Sequence, residues 1–234
     1  MLFGWFYFDW TILIVLPAMI FAFWAQIKVN STFEKYSRRA TRAGLTAAEA
    51  ARRMLDKNGL FDVQITQTPG NLTDHYDPRN RTLFLSQSVY ASQSTAAIGV
   101  ACHEAGHALQ HAKGYGALKL RMSIIPLCNI GSRAAFPLFL IGLLLGSLGY
   151  GFMLAGIACF SLATLFQLIT LPVEFNASHR ALEGMEDGGL LVGNELGDAR
   201  KVLSAAAMTY VAALATSLLS LLRLVVIANN SRRN

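Results

Sequence analysis

The chain has 234 residues, 53% of them hydrophobic and 15% charged, with a mean hydropathy of +0.40, which is too apolar for an ordinary soluble domain of this length and indicates a membrane protein. Its formal charge of +6 does not indicate nucleic acid, because thirteen of the twenty Lys and Arg fall between Lys28 and Arg121 among seven acids, with no Arg-rich run interleaved with aromatic residues. The basic excess reads instead as a topogenic, membrane-facing signal.

In chain order, Trp5 to Ile27 is apolar apart from Asp9, Thr11 and Gln26, with Trp5, Trp10 and Trp24 near its ends. Amphipathic indoles favour the membrane interface, so this stretch is expected to span, as an uncleaved anchor kinked at Pro17. No Lys or Arg precedes it, as a signal peptide would require. Lys28, Lys35, Arg38, Arg39 and Arg42 cluster just beyond, in a polar segment from Lys28 to Arg42, and place that side in the cytoplasm. Thr46-Ala-Ala-Glu49 is a capping box opening a helix that Asn58-Gly59 stops. Val63 and Ile65 alternate with Gln64 and Thr66 as in a short strand. The turn-rich Asn71–Pro78 separates it from a second strand at Arg81–Leu85, which leads into one helix expected from Ser86 to Ala112 and ended by Gly114.

That helix carries His103-Glu104-Ala105-Gly106-His107. Histidines at i and i+4 share a helix face and can meet one Zn²⁺, while Glu104 on the same turn can take a proton from a water that the metal acidifies. This is a hydrolase pattern. His111 continues the stripe, but at a rise of about 1.5 Å per residue it lies about 12 Å from His103, too far to join bonds of about 2 Å to one ion. It is expected to support the ligands or to sit at an interface. Cys102, beside His103, reads as a small core residue, and three cysteines, two of them in or beside apolar runs, make no disulfide framework.

A strand just before a zinc-binding helix can offer its edge to a peptide substrate. His75 and Tyr76 are placed in sequence to approach such a cleft and donate to an oxyanion, or equally to shape the turn.

From Ala134 to Val173 forty residues pass without a charge, about 60 Å of helix or two hydrocarbon cores of about 30 Å. With Gly149-Tyr150-Gly151 near the middle, this is expected to be a helical hairpin, about 134 to 149 and 152 to 172. Val202 to Leu222 is a further run of spanning length. A catalytic zinc takes three protein ligands and an open position, so the two histidines leave one ligand missing. Glu174, the first charge after the hairpin, is the best candidate. Glu183, Glu186 and Asp187 read as solvated face. Arg180 can bind a substrate carboxylate or a phosphate headgroup, or be a solvated charge.

The ordered set LTAAEAARRML, NGLFDV, DHYDPRNRTLFLS, VACHEAGHALQHAKGY and LPVEFNASHRAL, after an N-terminal span, resembles the bacterial membrane-bound neutral zinc metallopeptidases of the YugP type over nearly the whole chain. The resemblance implies a gluzincin-like peptidase with His103, His107 and Glu174 as ligands and Glu104 as base. The site is more distantly similar to the CAAX-prenyl and heat-shock membrane proteases, in which E-x-x-x-D follows the hairpin. Here the last position is Ser178, so Ser178 or Asn176 would have to support a histidine ligand as a neutral partner.

The expected protein is a mainly α-helical integral membrane protein, with about four transmembrane helices plus a small α+β zincin-like catalytic domain at the membrane surface. Its parts are an anchor at 1–27, a catalytic domain at 28–125, the hairpin at 126–173, a segment completing the zinc site at 174–201, and a C-terminal helix and tail at 202–234. The expected function is zinc-dependent endopeptidase, with one Zn²⁺ per chain, in the cell membrane of a bacterium and with the catalytic domain cytoplasmic. Peptide or protein substrates, membrane lipid and a protein partner or second copy are the expected partners, and nucleic acid is not. The alternative is a non-catalytic zinc-containing membrane scaffold. Four spans also leave Arg223, Arg232 and Arg233 outside, against the positive-inside rule.

Overall fold

The computed structural model describes residues 10–233, so Trp5 and Asp9 of the expected anchor lie outside the described residues. The chain is mostly helical and divides into two compact units. One comprises 25–120 and 170–210; the other holds the described residues of 1–24, 121–169 and 211–234.

In the first unit, α2 (Ala47–Lys57) opens on the capping box: the Thr46 side chain accepts from Glu49 N, and the Glu49 carboxylate accepts from Thr46 N. Its buried face, Ala47, Ala50, Ala51, Met54 and Leu55, recurs at helical spacing and joins a core with Leu83, Leu85, Val89, Ile98 and Met185. Three strands follow, β1 (Gln64–Thr68), β2 (His75–Asp77) and β3 (Thr82–Ser86), in the order β1-β3-β2, with β1 parallel and β2 antiparallel to β3. The strand before the motif helix is therefore central, and both of its edges are taken. Strand addition to it is closed, and the outer edges belong to β1 and β2.

Two expectations about this region need correction. His75 to Asp77 is a strand, not part of a turn, because it pairs with Thr82 to Phe84 across the intervening loop. The helix expected from Ser86 to Ala112 is two, α3 (Gln87–Tyr90) and α4 (Thr95–Ala112). The break is tertiary: Thr41 N donates to Gln93 O, Thr95 N donates to Arg39 O, and Ala40 bridges Ser94. Ser94 then caps α4, accepting from Ala97 N. The helix stops as expected, with Gly114 in the left-handed region at φ 64°.

Among the described residues, four helices are long and apolar enough to cross a membrane. They are α1 (Ile12–Ser37), α5 (Gly116–Leu144), α6 (Tyr150–Asp187) and α7 (Asn194–Arg233). Each runs beyond its charge-free stretch, and α1 continues through Pro17 and most of the basic segment. In the second unit α5 and α6 meet at small residues: a Cβ on Gly156 would lie 2.8 Å from Ala135 O. Such backbone approach is how helices pack where the surrounding medium is as apolar as their side chains. The Arg223 Nε–H donates to Thr11 Oγ1, and Arg232 lies over the Tyr150 ring. Both basic groups therefore have partners within that unit.

Candidate metal centre

Helix α4 delivers His103 and His107 one turn apart, and the C-terminal half of α6 delivers Glu174. Glycine is what lets the two helices meet. A Cβ on Gly106 would lie 2.5 Å from Ala177 O, closer than real Cβ contacts, so the position between the two histidines accommodates no side chain.

At this crossing Glu174 Oε2 lies 3.2 Å from His103 Nε2 and 3.6 Å from His107 Nε2. The Glu174 side chain is 4% exposed and each imidazole 12%. One ligand atom from each residue falls within 4.8 Å of the others. A tetrahedral ion with bonds of about 2.0–2.1 Å needs ligand atoms roughly 3.3–3.4 Å apart, so the two nitrogen–oxygen separations fit zinc.

The far sides of the imidazoles make the same point. Gln110 is wholly buried and donates both amide protons, to Val173 O at 2.8 Å and to Asn176 Oδ1 at 3.0 Å. Arg180 Nε–H donates to that same Asn176 oxygen at 2.8 Å, which fixes the orientation of both amides. The Gln110 oxygen, left facing His107 Nδ1 at 3.0 Å, must accept. His107 therefore carries a proton on Nδ1 and turns Nε2 to Glu174. Ser178 Oγ lies 3.1 Å from His103 Nδ1 and engages the far side of that imidazole. Two imidazole nitrogens and a buried carboxylate this close need a proton or a metal cation among them. The site favours positive charge: burial works against charging His107, but the Glu174 hydrogen bond and the charges of Glu104 and Glu174 outweigh it and raise its pKa.

Glu104 lines a cavity of about 200 Å³ together with His103, Glu174, Ser178 and Tyr210. His75 and Tyr76 are elsewhere. His75 stacks on Phe84, and its Nδ1 lies 2.9 Å from Thr73 O. The Tyr76 hydroxyl lies 3.0 Å from His111 Nδ1, so His111 meets Tyr76 and not the ligands. Arg180, besides its bond to Asn176, faces a separate charged depression with Lys57, Lys113, Glu183 and Asp187. Cys102 is fully buried and its thiol is pushed up to about 12, an inert core residue. Gln110 and Tyr210 were not legible as site residues. Gln110 offered one signal, an uncharged polar residue one turn past His107 in a run of Ala and Leu.

A family model described as "Putative neutral zinc metallopeptidase" matches residues 11–229. The chain belongs to this family. As a member of the neutral zinc metallopeptidases it is also similar to "Putative membrane protease YugP" of Bacillus subtilis (strain 168), at 53% identity over 221 residues covering 94% of this chain and 97% of that one. No solved structure matches.

Proposed function

We propose that the chain is a membrane-bound zinc endopeptidase holding one zinc per chain on His103, His107 and Glu174. The observation that carries this is the convergence of two imidazole Nε2 atoms and a buried carboxylate oxygen at zinc spacing, with both Nδ1 atoms engaged behind them. In this reading 28–125 and 174–201 form the catalytic part, on the cytoplasmic side of a bacterial cell membrane, and 1–27, 126–173 and 202–234 anchor it.

Zinc, when bound, supplies a Lewis acid that polarises the scissile carbonyl and acidifies the attacking water. The Glu104 carboxylate takes that water's proton and passes it to the leaving amine. Tyr210, which lines the same cavity, takes the oxyanion-donor role that sequence order had suggested for His75 or Tyr76. An extended substrate adds to the outer edge of β2, since the residues just before it, Leu72 and Asp74, line that cavity.

The test is metal content by elemental mass spectrometry on detergent-purified protein, beside peptide hydrolysis. Wild type should hold one zinc per chain, and Glu174→Ala should hold less. Glu104→Gln should keep its zinc while turnover falls roughly 10²- to 10⁴-fold. Zinc without turnover in wild type would favour the scaffold, and protein free of zinc would end the metallopeptidase reading.

A further inference from the structure

We infer that the cavity beside Glu104 receives an apolar side chain of the substrate residue flanking the scissile bond, so that the enzyme cuts next to large aliphatic or aromatic residues. This rests on the peptidase reading and names its substrate class. Away from the metal ligands the walls are apolar, built from Phe33 of α1, Val100 of α4 and Leu203, Ala206 and Ala207 of α7. The volume, about 200 Å³, is below the roughly 300–1,000 Å³ of sites for drug-sized ligands. It has room for one side chain.

Charge excludes the alternatives. No Lys or Arg is among the described lining residues, so an acidic side chain would meet only Asp74, Glu104 and Glu174. A basic one would find those acids committed. The Asp74 carboxylate accepts from Ser86 N at 2.8 Å and from Ser86 Oγ at 3.0 and 3.2 Å. Glu174 is held between the two histidines, and Glu104 serves the water.

Leu72 gives an independent indication. It sits on the cavity wall in the left-handed region at φ 54°, where a leucine is strained and glycine is not, and the residue is 46% exposed. A strained backbone holding an apolar side chain in solvent is a cost that folding does not require. It is accounted for if Leu72 closes over an apolar group of the substrate.

The test measures binding, not turnover, on zinc-loaded full-length protein in detergent. Three small hydroxamates chelate the metal and carry hydrogen, isobutyl or carboxymethyl at the carbon nearest the chelating group. The isobutyl compound should bind roughly 10- to 100-fold tighter than the hydrogen one, and the carboxymethyl compound should bind more weakly than either. Leu72→Gly should cut the isobutyl preference several-fold without lowering Tm, an effect that a merely structural leucine would not show. Ala206→Phe should abolish the preference while zinc content stays at one per chain. Equal affinity for the isobutyl and hydrogen compounds, or preference for carboxymethyl, overturns the inference while leaving the peptidase reading intact. Failure of all three hydroxamates on protein that also holds no zinc ends both.

Discussion

Gly106 and Ala177 meet backbone to backbone: a Cβ on the glycine would lie 2.5 Å from the alanine carbonyl oxygen. Alanine normally stabilises a helix interior by about 0.5–1 kcal/mol over glycine. Here the sign should reverse. Gly106→Ala forces α4 from α6, at a cost of about 1–3 kcal/mol as for overpacking elsewhere, and pulls His103 and His107 away from Glu174. Zinc titration should show at least a tenfold loss of affinity together with a lower Tm. Unchanged affinity would mean that the crossing does not set the ligand spacing.

The polar groups behind the histidines should matter nearly as much as the ligands. Gln110→Leu leaves His107 Nδ1 and Val173 O without their partner, and Ser178→Ala does the same for His103 Nδ1. Each should weaken zinc binding about 10- to 100-fold. Ser178→Asp should strengthen it, because an anionic partner raises the basicity of the imidazole. A zinc affinity in Ser178→Asp below that of Ser178→Ala would argue against this role.

Tyr210 lines the same cavity as Glu104. Tyr210→Phe should lower kcat by roughly 10²- to 10³-fold with little change in KM, as for loss of one oxyanion donor. Tyr76→Phe, which removes a hydroxyl held by His111, should leave kcat close to wild type. The reverse pattern would return the role to Tyr76.

The capping box of α2 gives a pH dependence with a definite sign. The hydrogen bonds from the Thr46 backbone and side chain hold the Glu49 carboxyl below its ordinary value, with Arg53 aiding. A depressed folded pKa contributes stability that is present above the unfolded value and is lost as pH falls through the folded one. Thr46→Ala should cost about 1 kcal/mol at neutral pH, read as faster amide exchange in α2. The gap between wild type and Glu49→Gln should close on acidification. A gap that widens in acid would refute the assignment.

The parts visible in the sequence were those in which cause and effect are neighbours along the chain. Thr46 and Glu49 are three residues apart and His103 and His107 four, so helical spacing placed them, and Glu174 stood out as the first charge after an uncharged run. The β2 strand was hidden because three residues in a turn-rich stretch become a strand only through pairing with β3. The break at Ala91–Ser94 was hidden because its cause lies about fifty residues earlier, at Arg39 to Thr41. Gln110 has helical spacing to His107, but its meaning depends on Val173 and Asn176 of α6. Tyr210 is a cavity residue only because α7 returns to α4.

The bond pattern at the site has a topological result. Any ion shared by His103 and Glu174 ties together residues 71 positions apart, and residues 121–169 lie inside the ring it closes. By the loop-closure relation used for disulfides, a cross-link over a ring of that length restricts the unfolded chain by about 4 kcal/mol. One metal would then act as a clasp on the polypeptide, and an apoprotein deprived of it would face a larger ensemble of open chains before the apolar hairpin found its place.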